Sequence, residues 1–198
     1  MNDPYVIKAK EDGYRSRSAY KLKEIDKKFK LLKPGQVVVD LGCAPGGWLQ
    51  VVTERVIGGA VFGVDLQEVA PVGDVAFLQG DFTDQRVVDS LLEQLNGRLV
   101  DVVLSDVAAA ACGIPAVDSL RITVLVQHVA EFCDQVLRPG GSLVAKVLRG
   151  GTEKEILVGL KRKFSKVVHF KPESSRSDSA EMFVIALGRK NTQTDPHK

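Results

Sequence analysis

Two hydrophobic patterns alternate along this chain. Short runs that are almost continuously apolar, such as VVV at 37–39 and FVIAL at 183–187, are typical of strands buried on both faces of a sheet. Between these runs, apolar residues recur every three or four positions, as they do in helices that pack on a sheet. The strand predictions are residues 36–41, 60–65, 75–78, 100–106, 142–148, 166–170 and 182–188, and the helix predictions are 16–30, 48–57, 84–95, 119–137 and 153–163.

Strands that alternate with helices predict a mostly parallel sheet covered by helices on both faces. Only the polar loop at 171–181 separates the last two strands, which favours a hairpin and therefore an antiparallel last strand. Asn96-Gly97 and Pro139-Gly140-Gly141 predict turns from helix to strand. We predict one α/β domain with a seven-stranded, doubly wound, Rossmann-like sheet. A basic helical extension at 1–33 precedes the sheet, and a frayed tail at 191–198 follows it.

The sequence DLGCAPGGW at 40–48 joins the first predicted strand to the next helix. A glycine-rich turn at this place is typical of nucleotide-binding sheets, because glycine lets the backbone turn sharply and approach a ligand. The dinucleotide fingerprint GxGxxG needs glycine where Ala44 stands, and no GK[ST] follows to complete a P-loop. The turn therefore favours a nucleoside ligand without phosphates, which S-adenosylmethionine fits. The alternative is a tight turn before an ordinary helix that binds no ligand, because it would have the same sequence pattern.

Composition argues against several classes of protein. No apolar stretch approaches the ~20 residues that a membrane-spanning helix needs, and the N-terminal residues lack the apolar core of a secretory signal. Cys43, Cys112 and Cys133 form no CxxC pair, which favours a reducing compartment without a disulfide framework or a zinc site. The three histidines are scattered and predict no ligand set. We therefore expect a cytoplasmic protein that needs no metal.

Charge is unevenly distributed, although the net charge of the whole chain is only +2. Residues 1–33 carry a net charge of +5, residues 34–148 of −8, and residues 149–198 of +5. If the two basic segments meet beside the carboxyl ends of the strands, they form one anion-binding face. Two separate solvated surfaces give the same charge pattern, and the sequence leaves both interpretations open.

Four acidic residues stand at or just after the ends of predicted strands: Asp40, Asp65, Asp81 and Asp106. Ligands of such sheets bind beyond these strand ends. Asp65 is placed to accept the ribose hydroxyls of an adenosine and Asp81 to accept its adenine amino group, and their charge favours a cation such as a sulfonium. Taken singly, each acid is more typical of a helix cap or a solvated loop.

Lys146 lies within the apolar run SLVAKVL at 142–148. A lysine in such a strand reaches solvent, pairs with an acid or loses its charge, and loss of charge suits a general base. The alternative is a lysine that reaches solvent from an edge strand. Read singly, Lys21 in the first predicted helix and Glu181 before the last strand have the pattern of surface residues.

Seven segments, in this order, resemble the FtsJ/RrmJ family of RNA ribose 2′-O-methyltransferases. They are SRSAYKLKEID (16–26), DLGCAPGGW (40–48), FLQGDF (77–82), LSD (104–106), GIPAVD (113–118), PGGSLVAKVLRG (139–150) and KPESSRSDSAEMFVIALGRK (171–190). The resemblance implies a catalytic tetrad of Lys21, Asp106, Lys146 and Glu181. It also implies cofactor contacts at Gly46, Trp48, Asp65, Asp81 and Asp106.

The resemblance further implies that S-adenosylmethionine is the methyl donor. The implied acceptor is a uridine of large-subunit ribosomal RNA, presented by an assembled or nearly assembled subunit to a monomeric enzyme. A lysine of the tetrad would take the proton of the ribose 2′-hydroxyl. Burial and the second lysine favour its neutral amine, whereas Asp106 and Glu181 favour the ammonium, so the sequence leaves the net effect open.

Other functions remain as alternatives. The family also contains enzymes that methylate transfer RNA and messenger-RNA caps. A non-catalytic RNA-binding assembly factor is a second alternative, against which the intact tetrad argues. A dinucleotide oxidoreductase is a third, against which Ala44 argues.

The chain departs from the family pattern after Asp106. The family often continues with a Met-Ala-Pro-Asn type of loop, whereas this chain has VAAAACG at 107–113. A rigid proline and an amide donor are therefore missing where substrate or cofactor would lie. The departure bears on the choice of substrate more than on the class of reaction.

Overall fold

A computed structural model describes residues 3–108, 113–149 and 153–191. Within these ranges the strands are β1 (Val37–Leu41), β2 (Ala60–Asp65), β3 (Ala76–Gln79), β4 (Val100–Ser105), β5 (Leu137–Leu148), β6 (Phe164–Phe170) and β7 (Glu181–Arg189). The helices are α1 (Pro4–Glu11), α2 (Ser18–Phe29), α3 (Gly47–Arg55), α4 (Gln85–Leu95), α5 (Pro115–Val136) and α6 (Glu153–Lys163).

The seven strands of these ranges form one sheet in the order β3-β2-β1-β4-β5-β7-β6. Strands β1 to β5 pair in parallel, and β7 lies antiparallel between β5 and β6. The predicted doubly wound α/β sheet and its antiparallel last strand are confirmed. The chain leaves β1 toward β2 on one side and returns to β4 on the other. This reversal places a ligand-binding crevice outside the carboxyl ends of β1 and β4.

Helices cover both faces of the sheet because its central strands are apolar on both faces. Successive residues of a strand point to opposite faces. Val38 and Val39 are both fully buried, and they belong to two different core clusters. The cluster of Val38 includes Leu22 of α2 and Leu49 of α3, whereas the cluster of Val39 includes Val126 of α5. Close packing on both faces holds the carboxyl ends of the central strands in fixed positions.

Helix α2 packs against the loop between β6 and β7. The carboxylate of Glu24 accepts the backbone N–H groups of Glu173 at 2.6 Å and Ser174 at 3.0 Å. Arg17, just before α2, donates to the carbonyl oxygen of Ser174. The two basic segments therefore meet at one side of the sheet, as one of the two interpretations of the charge pattern requires.

Helix α1 was not among the individual helix predictions, although it lies in the helical extension expected at 1–33. Its apolar periodicity is weak, and its N-terminal residues define it instead. The side chain of Asp3 accepts a hydrogen bond from the N–H of Tyr5 at 3.0 Å and so caps the helix. Pro4 occupies the first helical position, where its missing N–H costs nothing.

Strand β5 begins earlier than predicted, at Leu137. The turn expected at Pro139-Gly140-Gly141 lies inside this strand. Leu137 pairs with Val100, whereas Ser142 already pairs with Val102, so the register shifts between these two pairs. The extra residues form a bulge in the strand rather than a separate turn.

Part of the departing loop lies outside the described residues, namely 109–112, and so does the tail from residue 192. Cys43 and Cys133 are buried free thiols, and Cys112 lies in the undescribed part of the loop. Among the helices of the described ranges, none has the length and apolar character needed to cross a membrane.

Candidate active site

The turn between β1 and α3 depends on two glycines with left-handed backbone conformations. Gly42 has a φ of +80°, and a Cβ there would lie 2.2 Å from Cγ2 of Val107. Gly46 has a φ of +106° and stands at the start of α3, and a Cβ there would lie 2.8 Å from Nη1 of Arg15. Glycine alone combines this conformation with such close approach. The turn therefore packs directly against the residue that follows Asp106.

A cavity of about 810 Å³ lies beyond the carboxyl ends of β1, β2 and β4. Three of the four strand-end acids line it: Asp65, Asp81 and Asp106. Its apolar lining includes Leu66, Phe82, Leu120, Val124 and Leu125. An apolar wall with a few convergent polar groups, at this volume, is typical of a small-molecule site.

Asp65 ends β2, and both of its carboxylate oxygens accept backbone N–H groups. Oδ2 accepts from Ala44 and Oδ1 accepts from Gln67, each at 2.8 Å. These two bonds fix the carboxylate at the edge of the cavity, and each oxygen keeps a lone pair for another donor. This arrangement can hold a pair of hydroxyl groups, such as those of a ribose.

Asp81 follows β3 and presents one oxygen to the cavity. Its Oδ1 accepts the backbone N–H of Thr83 at 2.9 Å and the hydroxyl of Thr83 at 2.7 Å. Within the described ranges no residue donates to Oδ2 of Asp81. This oxygen can therefore accept a hydrogen bond from an amino group in the cavity.

Asp40 differs from the other three strand-end acids because it does not line the cavity. It is fully buried, and neither carboxylate oxygen has a hydrogen-bond partner among the described residues. Burial, followed by the charges of Asp106 and Asp65, raises the pKa of Asp40 well above its ordinary value. Asp40 thus lies inside the sheet, beneath the cavity, where its surroundings favour the protonated form.

Lys21, Asp106, Lys146 and Glu181 come together from four places in the fold. Nζ of Lys146 lies 3.2 Å from Oδ1 of Asp106 and 3.4 Å from Oε1 of Glu181. The same nitrogen donates to the carbonyl oxygen of Asp106 at 2.8 Å. Nζ of Lys21 lies 3.2 Å from Oε2 of Glu181 and 3.9 Å from Oδ1 of Asp106. The four side chains form one cluster in which each carboxylate faces both lysines.

The positions of the two lysines decide between the alternatives that the sequence left open. Strand β5 lies between β4 and β7, so Lys146 does not belong to an edge strand. Its residue is only 5% exposed, and Lys21 is only 8% exposed. Lys146 therefore pairs with acids instead of reaching solvent, and Lys21 is not a surface residue.

The pKa of Glu181 reflects the charges of the two lysines in this cluster. Burial would raise the pKa of Glu181, but the charges of Lys146 and Lys21 and their hydrogen bonds outweigh it, so that this pKa is lowered. Glu181 is therefore ionised throughout the neutral range and holds both lysine side chains.

A second cavity, of about 350 Å³, adjoins the tetrad. Its lining residues are Arg17, Lys21, Arg176, Asp178, Ser179 and Glu181. Asp106 lines the larger cavity, whereas Lys21 and Glu181 line the smaller one. The tetrad thus stands between a partly apolar cavity with acidic groups and a polar cavity with more basic than acidic groups.

Two of the predicted cofactor residues, Gly46 and Trp48, do not line the larger cavity. Trp48 is 2% exposed, and its ring lies against that of Phe183 with the centroids 5.6 Å apart. Its indole N–H donates to the carbonyl oxygen of Ser18 at 2.8 Å. The side chain of Trp48 joins α3 to α2 and β7, and only its backbone N–H, in the unpaired first turn of α3, remains for a ligand.

Sequence reasoning missed several residues of the larger cavity. Gly42 and Ala44 line it from the glycine-rich turn at 40–48, of which only Gly46 and Trp48 were predicted as cofactor contacts. Leu120, Val124 and His128 also line the cavity from α5. Their spacing of four residues places them on one helix face, but the sequence does not show that this face looks toward the strand ends.

The described residues contain no group of three or more His, Cys, Asp or Glu side chains arranged to hold a metal ion. The acids of the larger cavity instead make hydrogen bonds to backbone or side-chain donors, or pair with the tetrad lysines.

Comparison with known proteins identifies one family. The family described as FtsJ-like methyltransferase matches residues 14–189. A ribosomal RNA large subunit methyltransferase E of Cereibacter sphaeroides is 50% identical over 207 residues, which cover 100% of this chain and 84% of the relative. A protein of the same name from Parvibaculum lavamentivorans is also 50% identical over 207 residues, which cover 99% of this chain and 81% of the relative.

Solved structures show the same relationship. A crystal structure described as that of a ribosomal RNA methyltransferase from Plasmodium falciparum matches with a TM-score of 0.81 and 31% sequence identity, covering 89% of this chain and 98% of that chain. The family match at 14–189 includes every residue of the tetrad. The chain therefore belongs to the FtsJ-like methyltransferase family.

Proposed function

We propose that this protein transfers a methyl group from S-adenosylmethionine to the ribose 2′-hydroxyl of a uridine in large-subunit ribosomal RNA. The observation that carries the proposal is the tetrad, which stands between two cavities of different character. Direct transfer requires donor and acceptor to meet in line beside a group that takes the proton. The names of the bacterial relatives support the class of RNA.

The larger cavity fits the donor. Asp65 and Asp81 offer free acceptor positions for ribose hydroxyls and an adenine amino group, and the apolar side chains of Leu66 and Val124 suit the faces of an adenine ring. The carboxylate of Asp106 favours a positive charge at the end of the cavity next to the tetrad. When bound there, S-adenosylmethionine supplies a methyl group activated by a positively charged sulfur.

We assign the proton of the 2′-hydroxyl to Lys146. Its Nζ donates to the carbonyl oxygen of Asp106 and forms ion pairs with the carboxylates of Asp106 and Glu181, so its position is fixed. For transfer, Lys146 first releases its ammonium proton to solvent, and its amine then takes the hydroxyl proton while the oxygen–carbon bond forms. The carbon–sulfur bond breaks at the same time and its electron pair stays with sulfur. Lys21 and Glu181, which line the smaller cavity, orient the hydroxyl, and the proton then passes to solvent.

The smaller cavity fits a nucleotide backbone better than it fits a base. It is polar and has no aromatic side chain in its lining. Sequence-specific readout of RNA depends on splayed bases stacked on aromatic or arginine side chains. The two arginines of this lining, Arg17 and Arg176, instead face the carboxylate of Asp3, so they suit an anionic group better than the face of a base. We therefore propose that the shape of the assembled large subunit selects the nucleotide, and that the enzyme acts on it as a monomer in the cytoplasm.

Mapping of 2′-O-methyl groups tests this function. Ribosomal RNA from cells that lack the protein is compared with RNA from cells in which the gene is restored. We expect one 2′-O-methyluridine in large-subunit RNA that is present only when the protein is present. Purified protein with methyl-labelled S-adenosylmethionine should restore it on large subunits from the deficient cells. An unchanged 2′-O-methylation pattern would contradict the proposal. Methyl label found on a base would show that the acceptor is not the ribose.

A further inference from the structure

The carboxylate of Asp3 lies between two arginines beside the smaller cavity. Its Oδ2 pairs with the guanidinium of Arg17 and lies 3.6 Å from Nε of Arg176. Both arginines line the cavity next to Lys21 and Glu181. An acidic side chain at the start of α1 thus occupies the two guanidinium groups on the acceptor side of the tetrad.

The anion position between the arginines is built by the fold. Arg17 is fixed by a further bond to the carbonyl oxygen of Ser174, which lies in the same β6–β7 loop as Arg176. Both guanidiniums lie against the same oxygen of Asp3, so like charges stand close together. Burial, followed by the charge of Arg176, accordingly lowers the pKa of Arg17. An anion placed between them relieves this repulsion, whether it comes from Asp3 or from a ligand.

Release of Asp3 from this position costs α1 its N-terminal cap, but the far end of the helix is held by other contacts. The far end of the helix is anchored by Ala9, which is buried, and by the nearby Tyr14, whose hydroxyl donates to Glu54 at 2.7 Å. Asp3 precedes the first turn, and the ends of helices fray most easily. Exchange of Asp3 for another anion therefore requires only a local change.

Asp3 fills the position incompletely. Only Oδ2 of Asp3 faces the arginines, because Oδ1 accepts the N–H of Tyr5. A phosphodiester offers two unesterified oxygens, which suit two guanidinium forks better than one oxygen does. Arg176 has a side chain 68% exposed and can meet such a group from solvent.

We propose that a phosphate group of the RNA substrate takes the place of the Asp3 carboxylate between Arg17 and Arg176. Asp3 then competes with RNA for a phosphate subsite next to the acceptor ribose. The inference rests on the proposed function, because it takes RNA as the ligand on this side of the tetrad. The two arginines then bind one phosphate of the RNA, and the carboxylate of Asp3 pairs with them when RNA is absent.

The substitution Asp3→Asn separates the charge of Asp3 from its role as a helix cap. Asparagine caps helices as well as aspartate does, so the bond to Tyr5 is kept while the pairing with the arginines is weakened. Binding is measured by filter retention with two probes from cells that lack the protein, extracted large-subunit ribosomal RNA and isolated large subunits. We expect Asp3→Asn to bind both about fivefold more tightly than wild type, because two partly exposed ion pairs no longer compete.

Glu11→Gln is the matched control. Glu11 is exposed in the last turn of the same helix, away from Asp3, and the change removes the same charge. RNA affinity of this variant should stay within about twofold of wild type. In a second background, Arg17→Gln/Arg176→Gln, the added Asp3→Asn should give no gain. If the double variant does not fold, Arg176→Gln alone, a change in an exposed loop, replaces that background, and the gain from Asp3→Asn should then be smaller than in the wild type because only Arg17 remains.

The inference is overturned if Asp3→Asn binds no more tightly than wild type, or if its gain persists in the background without the arginines. Methyl transfer by the wild-type protein separates this result from the function itself. Normal methylation of large subunits together with an unchanged Asp3→Asn affinity contradicts the subsite alone. Failure of the wild type to bind or methylate either probe contradicts the proposed function and the subsite together.

Discussion

At the scale of single residues, the tetrad is a balanced set of charges in a mostly buried place. Removing an ion from water is costly unless an opposite charge and hydrogen bonds replace the lost hydration. Here each lysine faces two carboxylates, and Lys146 also donates a hydrogen bond to the backbone carbonyl of Asp106. The cluster can therefore hold four ionisable groups beside one another, and loss of one member leaves its neighbours without compensation.

Lys146→Ala should separate transfer from donor binding. Lys146 does not line the larger cavity, so the affinity for S-adenosylmethionine, measured by calorimetry, should stay close to that of wild type. The single-turnover rate of methyl transfer should fall at least ~10²-fold, which is the low end for loss of a general acid–base group. Lys166→Ala, an exposed lysine on β6, is the control and should transfer at the wild-type rate. A Lys146→Ala rate near that of wild type would remove this lysine from the mechanism.

Asp81→Ala should weaken the binding of S-adenosylmethionine. The free Oδ2 of Asp81 would lose the amino group that we assign to it, and a hydrogen bond to a charged acceptor contributes about 1.5–3 kcal/mol. The dissociation constant from calorimetry should therefore rise roughly 10- to 150-fold.

Two further variants control for other consequences of that change. Asp81→Asn can keep an oxygen for Thr83 and shows the effect of losing the charge alone. Asp74→Ala removes an exposed acid from a nearby loop and should leave the affinity unchanged. Unaltered affinity of Asp81→Ala would show that the donor lies elsewhere in the cavity.

At the scale of elements, the turn from β1 to α3 links the donor cavity to the tetrad. Gly42 packs against Val107, which directly follows Asp106. A displacement of this turn would therefore move Asp106, which belongs both to the cavity and to the tetrad.

Gly42→Ala should disturb stability and activity together. A non-glycine residue with left-handed backbone costs roughly 1–2 kcal/mol, and the added methyl would also meet Val107 at 2.2 Å. Gly58→Ala is a matched control, because Gly58 has a φ of +73° and nothing within 4 Å of the added Cβ. We expect Gly42→Ala to unfold at a lower temperature than Gly58→Ala and to bind S-adenosylmethionine less tightly. Equal melting temperatures for the two variants would contradict this account of the turn.

At the scale of the whole molecule, the fold joins two basic segments that are separated by an acidic one. Glu24 of α2 fastens the β6–β7 loop, and Arg17 and Arg176 converge on Asp3. Not every basic residue of the N-terminal segment is free to meet RNA. Arg15 donates to the carbonyl oxygens of Ala70 and Pro71, and thus holds another loop. Fewer basic residues are therefore available to bind RNA than the charge pattern of the sequence indicates.

Substrate form should decide the rate of methylation. The smaller cavity provides charge but no aromatic platform for a base, so recognition depends on the shape of a folded RNA–protein particle. We expect isolated large subunits to be methylated faster than extracted large-subunit ribosomal RNA, and a short unstructured oligonucleotide to be methylated least. The measurement compares initial rates at equal concentrations of target uridine. A preference for the oligonucleotide would contradict the ribosomal substrate and direct attention to the loop at 107–113.

The sequence by itself determined much of the architecture. Buried strands and amphipathic helices are local patterns, because a residue's face repeats every two or 3.6 positions whatever the rest of the chain does. The order of strands and helices, the antiparallel end of the sheet and the glycine turn after β1 were therefore readable. Bulges and helix caps were harder to predict from the sequence. The register shift at Pro139–Gly141 depends on pairing with β4, and α1 is defined by Asp3 and Pro4 more than by apolar residues.

The site depended more strongly on tertiary structure. Lys21 and Glu181, 160 positions apart, are joined at 3.2 Å, and nothing local to either residue indicates this contact; only the family resemblance named them. Packing also decides that the side chain of Trp48 is buried and that Asp40 lies beneath the cavity. It likewise decides that one face of α5 lines the cavity at the strand ends. These outcomes depend on which faces meet when the helices pack on the sheet. The periodicity of the sequence shows which faces are buried, and only the tertiary structure decides which of them meet.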